Sequence, residues 1–414
     1  MRTREKSAPQ VELLILGDLV LPSRALRDAW LAVRDGHIYD LGTSRPPQPK
    51  RVLDFRGHVV LPGFIDVHLH GLEYGDPASA EGIVRMLEAA PRHGVTGIVP
   101  TLASATHEQY LRFFDDARLA AAGSIGGARL LGVHAEGPYI NPRMARGMDP
   151  AYLRSPNPDE DSQLLEHGSG VLKIMTLSPE LPGAARLVRA LTSSGVTASI
   201  GHSAATRPQV RAAVEAGASQ VCHWPNALPK PDLEPDLPDT AAFCLEFPEL
   251  ALELILDLVH VPVERIRLAL EKAGVERVLA VTDAMRGAGL RPARPAETGR
   301  LPVFKMTDGR AYSVDPKRGC RLVDTGVLVG SAITLLEAFR NLVTALDLSL
   351  PQAAQICSTN PARQLRLDDR LGKLAPGHFA DLTVLDRDLN LVATFVGGQQ
   401  TGGPEPEQAH DRRV

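Results

Sequence analysis

Histidine and carboxylate side chains stand at the ends of short apolar runs through the middle of this sequence. They are His68, His70, Glu136, His202, His223, His260 and Asp283. Imidazoles and carboxylates hold divalent metal ions and exchange protons, so a set that met in space could activate water for hydrolysis. Whether these side chains meet depends on the elements that carry them.

His68 and His70 stand two residues apart in the run FIDVHLHG. In a strand, residues two apart face the same side, so both imidazoles can share one ion. A His-X-His pair alone is more often a solvated or structural pair than a metal site, and its meaning depends on the other strand ends.

Glu136 ends another apolar run, directly before Gly137-Pro138, where the chain must turn. Taken alone, Glu136 could be a loop carboxylate or a helix cap, and His202 or His223 could be a hydrogen-bonded histidine at a strand edge. Together they offer two nitrogens and one oxygen. That set suits Zn²⁺ or another borderline divalent ion, with one position left open for water.

Asp283, in the segment VTDAM, is the best candidate for a general base, although it could instead cap the next helix. Lys173 suggests a different metal site, in which a carboxylated lysine bridges two metal ions, as it does in several hydrolases of barrel architecture. Glu136 makes such a bridge unnecessary. We therefore interpret Lys173 as a structural residue or as polar lining.

Eight apolar runs alternate with amphipathic segments, the pattern of a parallel sheet covered by helices. The runs are 64–70, 97–101, 130–136, 171–177, 196–202, 219–224, 252–260 and 277–283. A doubly wound open sheet would account for the count almost as well. Six runs end on a candidate ligand or base, which favours a closed (β/α)8 TIM-like barrel, where the C-terminal strand ends converge on one mouth.

Short β-like runs separated by turn residues occur at both ends of the chain. They predict a small β-sandwich lobe formed by residues 1–61 together with 372–400. The barrel is then predicted over 62–371. Residues 401–414 are polar and rich in Gly and Pro, which predicts a disordered tail.

The composition is that of a globular enzyme: 414 residues, 44% hydrophobic and 23% charged, with a net charge of −4. No Lys/Arg cluster predicts nucleic acid or membrane binding, so a small-molecule substrate is expected. The four cysteines lack the paired spacing of a thiolate zinc site or a disulfide framework. No signal peptide or membrane span is predicted, and a cytoplasmic location is expected.

Longer motifs occur in a characteristic order: LPGFIDVHLHG, LGVHAEGPYINP, GVTASIGHS, HWPNA, VTDAMRGAGL and GHFADLTVLD. Over about residues 12 to 397 the sequence resembles the amidohydrolase superfamily, and most closely its N-acetylglucosamine-6-phosphate deacetylase family. The resemblance implies one or two divalent ions per subunit, with Zn²⁺ preferred, and a homodimer. It also implies site residues: Glu136, His202 and His223 for one ion, His68 and His70 for a second, Asp283 as catalytic aspartate, His260 as a catalytic and substrate-contacting histidine, and Asn226 and Ala227 near the sugar and its phosphate.

The sequence departs from the family pattern after HWPNA, where the family usually carries an arginine that binds the 6-phosphate. Leu233 stands there instead, so a bidentate cation is missing. Lys230 could supply a point charge in its place, although Asp232, Glu234 and Asp236 surround this position with negative charge.

A second departure is Asp149, which replaces a histidine or glutamine that shortly follows the glycine matched by Gly147. It is a candidate substrate contact.

The resemblance implies hydrolysis of the N-acetyl group of an amino sugar, amino-sugar phosphate or conjugate, releasing acetate and the free amine. The two departures leave the phosphate open. Because a fold does not fix a substrate, another N-acyl compound, a cyclic amide or a deamination remains an alternative. A non-catalytic scaffold is the alternative of a different class.

Overall fold

Short strands and helices alternate along most of the chain. The computed structural model describes residues 10–103, 105–123, 126–290 and 301–403. The strands are β1 (Gln10–Val20), β2 (Ala25–Arg34), β3 (His37–Gly42), β4 (Gln48–Pro62), β5 (Phe64–Leu69), β6 (Val95–Ala103), β7 (Arg129–Leu130), β8 (Val133–Glu136), β9 (Leu172–Leu177), β10 (Thr197–Ile200), β11 (Gln220–Val221), β12 (Ala251–Ile255), β13 (Val278–Val281), β14 (Val303–Lys305), β15 (Ala311–Asp315), β16 (Gly319–Leu322), β17 (Leu328–Gly330), β18 (Leu382–Leu385), β19 (Leu391–Val396) and β20 (Gln399–Gly402).

The helices lie mainly between the parallel strands. They are α1 (Ala80–Ala89), α2 (His107–Gly123), α3 (Pro158–His167), α4 (Ala184–Ser193), α5 (Arg207–Ala216), α6 (Thr240–Leu245), α7 (Val263–Ala273), α8 (Leu335–Thr344), α9 (Leu350–Ala354) and α10 (Asn360–Gln364). Among the described residues, none of these helices combines the length and the apolar character needed to span a bilayer.

Nine strands form one parallel sheet: eight follow one another in the order β5, β6, β8, β9, β10, β11, β12, β13, and the short β7 pairs with β6. The first and last strands of this sheet, β5 and β13, are joined by hydrogen bonds at their C-terminal ends. The backbone amide of Asp283 donates to the carbonyl of His68 (2.9 Å), and the amide of His70 donates to the carbonyl of Ala284 (2.8 Å). The predicted (β/α)8 barrel is confirmed, and the open doubly wound sheet is wrong.

Strand β5 shows how the barrel separates two layers of core. Ile65 and Val67 pack in a cluster shared with side chains of other barrel strands, whereas Phe64 and Leu69 pack in the larger cluster beneath the helices. A register shift lies between Asp66 and Leu69 in the pairing of β5 with β6. Such irregularities redirect side chains, and here the shift includes His68 and lies directly before His70.

Two predicted strands end differently in the structure. The third run splits into β7 and β8 at Gly132, which has a φ of 137°. The seventh run, predicted over 252–260, stops at Ile255. The chain turns there because Oδ1 of Asp257 accepts hydrogen bonds from the backbone amides of Val259 and His260, both at 2.9 Å. His260 therefore lies in a loop and does not end a strand.

Both chain ends contribute to a second, seven-stranded sheet with the order β20, β19, β18, β4, β1, β2, β3. Strand β4 joins the two parts, because it pairs with β1 in parallel and with β18 antiparallel. The lobe predicted from both termini is confirmed, while its bounds of 1–61 and 372–400 stay a prediction. Thr401 and Gly402 belong to β20 and not to a tail, and residues 404–414 lie outside the described residues.

A third sheet, which the sequence analysis did not predict, follows the last barrel strand. Strands β14 to β17 form an antiparallel sheet in chain order. Its end is joined to the barrel mouth, since the amide of Ser331 donates to the carbonyl of Asp283 (2.8 Å). Its strands are only three to five residues long, and strands this short show too few alternations of apolar and polar residues to be detected.

Glu73 anchors the loop that leaves the barrel after β5. Its carboxylate oxygens lie 2.7 Å from Nε2 of His93 and 2.9 Å from Nε of Arg92. Burial alone would raise the pKa of Glu73, but the hydrogen bonds with His93 and Arg92 lower the pKa to about 2. The loop is therefore held to the segment that follows α1 by a partly buried ion pair.

Replacing Glu73 with glutamine is expected to lower the free energy of unfolding by about 1–2 kcal/mol near neutral pH, because His93 and Arg92 lose their anionic partner. The pKa of Glu73 is depressed in the folded chain from 4.5 to about 2. The wild-type advantage is therefore complete above pH 4.5 and is lost as the pH falls towards 2. Urea unfolding over this pH range measures it.

Glu81→Gln is the matched control for this experiment, because it removes only an exposed ion pair between Glu81 and Arg85 on α1. It should leave the free energy of unfolding unchanged within error. A difference between Glu73→Gln and wild type that grew on acidification would contradict the prediction.

Candidate active site

The closed barrel brings the predicted residues to one mouth. Glu136 is the last residue of β8, and His202, His223 and Asp283 each stand two positions beyond the ends of β10, β11 and β13. These three residues have positive φ angles of 46°, 29° and 49°. Positive φ is uncommon for residues other than glycine and clusters at functional sites. At three strand ends the same sharp turn directs a side chain into the mouth.

Glu136 occupies the centre of the site. Its Oε1 lies 3.1 Å from Nε2 of His202 and 3.0 Å from Nε2 of His223. Its Oε2 lies 3.2 Å from Nε2 of His70 and 3.6 Å from Nε2 of His68. Burial opposes the charge of Glu136, but the surrounding imidazoles hold the pKa of its carboxyl well below the ordinary value.

The tautomers of His202 and His70 follow from the hydrogen bonds of Nδ1, the ring nitrogen that faces away from Glu136. Nδ1 of His202 lies 2.9 Å from the carbonyl of Met144, and Nδ1 of His70 lies 3.0 Å from the carbonyl of Thr101. A carbonyl only accepts, so each Nδ1 carries the hydrogen and each Nε2 of a neutral ring presents a lone pair to Glu136. Two acceptors at such distances require a cation or an added proton between them. The donor set therefore fits a divalent metal ion.

Added protons are the alternative to an ion, and the pKa values show how favourable the site is for positive charge. Burial lowers the pKa of His70, but its contacts with Asp283 and Glu136 outweigh burial and raise the pKa to about 9. His68, His70 and Glu136 offer ligand atoms that all lie within 4.8 Å of one another.

Glu253 supports the site from below and was not predicted. Its Oε2 lies 2.9 Å from Nδ1 of His68 and accepts the backbone amide of His223 at 3.1 Å, while Gln220 donates to its Oε1. Among the described residues, Nε2 of His68 is buried without a hydrogen-bond partner. A carboxylate that binds the outer nitrogen of an imidazole fixes the ring and its tautomer for a metal on the inner nitrogen. A lone charge inside the apolar run LELIL was the available signal.

Cys222 also lies within the site, although cysteine spacing had not indicated a thiolate there. Its Sγ lies 3.6 Å from Oε1 of Glu136 and 3.6 Å from Nδ1 of His68. Burial raises the pKa of the Cys222 thiol. Cys222 is thus a buried neutral thiol next to the central carboxylate.

Asp283 and His260 face the same open space. Oδ1 of Asp283 lies 3.1 Å from Nε2 of His70. Nδ1 of His260 lies 2.6 Å from Oδ2 of Asp257, and its Nε2 is buried without a hydrogen-bond partner among the described residues. Burial opposes the charge of Asp283, but the nearby imidazoles lower the pKa of its carboxyl. Asp257, which orients His260, was not predicted.

These residues line a cavity of about 490 Å³. Its lining includes the predicted residues His70, Glu136, His202, His223, Asn226, Ala227, Lys230, His260 and Asp283. His68 is completely buried beneath the cavity. A volume of this size is ordinary for a small-molecule site.

Three other residues discussed from the sequence are not among those that line the cavity. Asp149 caps the turn Pro150–Tyr152 by accepting a hydrogen bond from the amide of Ala151 (2.9 Å), so its predicted place at the substrate is not supported. Lys173 packs against Gly132, in keeping with its structural interpretation. Leu233 is 74% exposed to solvent.

Three cations that the sequence analysis did not consider also line the cavity: Arg146, Arg286 and Lys305. Arg286 is engaged, since its Nη1 lies 3.0 Å from Oδ2 of Asp76. Lys305 lies on β14, in the sheet that was not predicted. The cavity therefore has carboxylates and imidazoles at its floor and several cations around them.

Comparison with known proteins identifies the family. The chain matches the model of the amidohydrolase family over residues 59–402. The N-acetylglucosamine-6-phosphate deacetylase of Bacillus subtilis (strain 168) is 30% identical over 397 residues, which cover 94% of this chain and 96% of that protein. The N-acetylgalactosamine-6-phosphate deacetylase of Escherichia coli O157:H7 is 30% identical over 381 residues, which cover 90% of this chain and 95% of that protein.

Solved structures agree with the sequence relatives. The N-acetyl-D-glucosamine-6-phosphate deacetylase of Mycobacterium smegmatis, in complex with N-acetyl-D-glucosamine-6-phosphate, has a TM-score of 0.85 at 30% identity and covers 95% of this chain and 100% of its own. The N-acetylglucosamine-6-phosphate deacetylase of Thermotoga maritima has a TM-score of 0.81 at 28% identity and covers 94% of this chain and 100% of its own. The chain therefore belongs to the amidohydrolase family and, within it, to the N-acetylglucosamine-6-phosphate deacetylase family.

Proposed function

We propose that this protein hydrolyses the N-acetyl group of an amino sugar, with an amino-sugar phosphate as preferred substrate, and releases acetate and the free amine. The observation that carries the proposal is the position of Asp283, whose carboxylate lines the cavity beside the imidazoles around Glu136. Relatives that match at least 90% of the chain are named as deacetylases of two amino-sugar phosphates, which supports the substrate class.

One or two divalent ions, with Zn²⁺ preferred, would be held at the two oxygens of Glu136. His202 and His223 converge on Oε1, and His68 and His70 converge on Oε2, so each side offers imidazole nitrogens and one carboxylate oxygen. Imidazole with carboxylate is a ligand set that zinc accepts readily. A bound ion would supply positive charge that polarises the acyl carbonyl and lowers the pKa of water.

Asp283 moves the proton in the proposed reaction. It accepts a proton from the attacking water, whose oxygen forms the new bond to the acyl carbon. The carbon–nitrogen bond then breaks, and Asp283 returns the proton to the leaving nitrogen, because an unprotonated amine anion is too basic to leave. The nearby imidazoles lower the pKa of Asp283, so its carboxylate is ionised, which is the form that can accept a proton.

His260 positions the substrate. Asp257 fixes its Nδ1, so the ring presents Nε2, which has no other partner among the described residues, to the cavity. From there it can hydrogen-bond the acyl oxygen or a sugar hydroxyl. Asn226 offers a similar contact, because its Nδ2 is buried and without a partner among the described residues. Ala227 and Lys230 continue the same wall of the cavity.

Acetate release from purified, zinc-loaded protein tests the proposal. We expect turnover of N-acetylglucosamine 6-phosphate and N-acetylgalactosamine 6-phosphate, with a kcat/KM at least about tenfold above that of the unphosphorylated sugars. A cyclic amide and an aminopurine serve as controls for the other reactions of this fold. Turnover of a control compound with no acetate from any amino sugar would contradict the proposal.

We further propose that the protein is a cytoplasmic homodimer. All four cysteines are buried and unpaired, as expected in a reducing compartment. Val303 and Val323, on or beside the small antiparallel sheet, are each 59% exposed and offer apolar surface for a second subunit.

Sedimentation velocity should give twice the chain mass at micromolar concentration, whereas a monomer mass would contradict the dimer. Recovery of the protein from a membrane or secreted fraction would contradict the location.

A further inference from the structure

Three cations from three separate segments of the chain line the cavity. Arg146 follows the turn Pro142–Met144, Lys230 lies in the loop after β11, and Lys305 ends β14. All three line the cavity whose floor holds Glu136 and Asp283. We call Arg146, Lys230 and Lys305 the cationic rim.

Arg146 is the centre of this rim. Its Nη2 donates to Oε2 of Glu234 at 2.8 Å, and the carbonyl of Leu228 lies 3.5 Å from the same nitrogen. Oε2 of Glu234 also accepts the backbone amide of Lys230 at 3.1 Å. One carboxylate oxygen therefore ties Arg146 to the segment that carries Lys230. Among the described residues, the other N–H groups of the Arg146 guanidinium have no partner.

Lys305 precedes a turn that contacts the segment carrying Arg146. In the turn that follows β14, Arg310 donates to the carbonyl of Gly147 at 2.7 Å and pairs with the buried Asp308. Gly147 is the chain neighbour of Arg146, so this contact ties the turn that follows Lys305 to the segment that carries Arg146. The small antiparallel sheet thus completes the rim.

The charges at the rim do not cancel. Glu234 pairs with Arg146, and Asp76 pairs with Arg286. In the described part of the chain, the ammonium groups of Lys230 and Lys305 form neither ion pairs nor hydrogen bonds. Asp232 and Asp236, which from sequence surround this region with negative charge, do not line the cavity. Two unpaired positive charges and an open guanidinium edge remain, and such a group of cations attracts an anion.

We propose that the cationic rim binds the phosphate of the substrate and so determines the preference for a phosphorylated amino sugar. This inference rests on the proposed function, because it requires the N-acetyl group to lie at Asp283 while the phosphate lies at the rim. Arg146 presents two N–H groups to phosphate oxygens, and the two lysines act as point charges. These residues take the place of the arginine that Leu233 replaces.

The ratio of kcat/KM for N-acetylglucosamine 6-phosphate to kcat/KM for N-acetylglucosamine tests the proposal. We expect Arg146→Gln to lower this ratio about 30-fold, and Lys305→Gln or Lys230→Gln to lower it about tenfold, as for lost charge-assisted hydrogen bonds. Lys317→Gln is the matched control, because Lys317 lies in the turn between β15 and β16 of the same small sheet and does not line the cavity. Its ratio should equal that of wild type.

Calorimetric binding keeps the test independent of turnover. In the Asp283→Asn background, Arg146→Gln should weaken binding of N-acetylglucosamine 6-phosphate at least tenfold, with a smaller effect on N-acetylglucosamine. An unchanged ratio, or an equal loss for both sugars, would overturn the rim assignment and leave the deacetylase proposal standing. No acetate from either sugar with wild-type protein would overturn the proposed function, while calorimetry would still decide the phosphate site.

Discussion

Asp283→Asn is expected to lower kcat by about a thousandfold, with little change in the metal content of the purified protein. Asparagine keeps the size and the hydrogen bonding of the side chain but cannot accept the proton from water or return it to nitrogen. A thousandfold loss corresponds to about 4 kcal/mol of activation free energy, within the usual range for a general acid–base residue. Steady-state kinetics and elemental analysis of the same preparation measure the two quantities.

Asp76→Asn is the matched control for Asp283→Asn. Asp76 also lines the cavity, but its carboxylate pairs with Arg286 and, among the described residues, contacts none of the histidines around Glu136. We expect less than a tenfold change in kcat from this substitution. Near-normal kcat for Asp283→Asn would eliminate its role as base. Loss of metal together with kcat would instead make Asp283 a ligand.

Glu136→Gln is expected to abolish tight metal binding and, with it, activity. Both oxygens of Glu136 face imidazole nitrogens, two on each side. Glutamine offers one oxygen and one amide group, whose hydrogens would point at imidazole lone pairs on one of the two sides. Inductively coupled plasma mass spectrometry after dialysis should find less than about a tenth of the wild-type metal, and added zinc should not restore turnover.

Glu253→Gln should give an intermediate result. Because Glu253 contacts the outer nitrogen of His68 and the amide of His223, we expect a 10- to 100-fold weaker metal affinity with the ligands themselves intact. Glu73→Gln lies outside the site and should retain the full metal content. Wild-type metal affinity in Glu136→Gln would contradict the assignment of Glu136 as the central ligand.

The barrel and the floor of its site were predictable because both depend on local rules. Strand ends of a closed barrel converge, so marking the last polar residue of each apolar run was enough to find Glu136, His202, His223 and Asp283. His260 was predicted to end a strand, which is wrong, because the chain turns at Asp257 after β12 has ended at Ile255. His260 still lines the cavity. The turn keeps His260 at the mouth by another route.

The remaining features depend on contacts between segments distant in sequence, which no local pattern records. Glu253 occupies a strand position that normally carries an apolar residue, and its meaning appears only beside His68 and Gln220. Arg146 and Lys305 line the same cavity because the small sheet contacts the segment of Arg146 through Arg310 and Gly147, and the short strands of this sheet gave no periodic signal. Contacts between distant segments therefore place the cations that line the cavity.

The site can form only when the first and last barrel strands are joined, that is, when the whole barrel has folded. Asp66 and Thr282, which join these strands through a 2.7 Å hydrogen bond, stand 216 positions apart in the chain. A truncated chain that ended before β13 would carry every imidazole ligand and still lack the geometry that gathers them. The free energy of binding an ion at Glu136 would therefore be available only to the complete barrel, so a bound metal would stabilise intact chains relative to fragments.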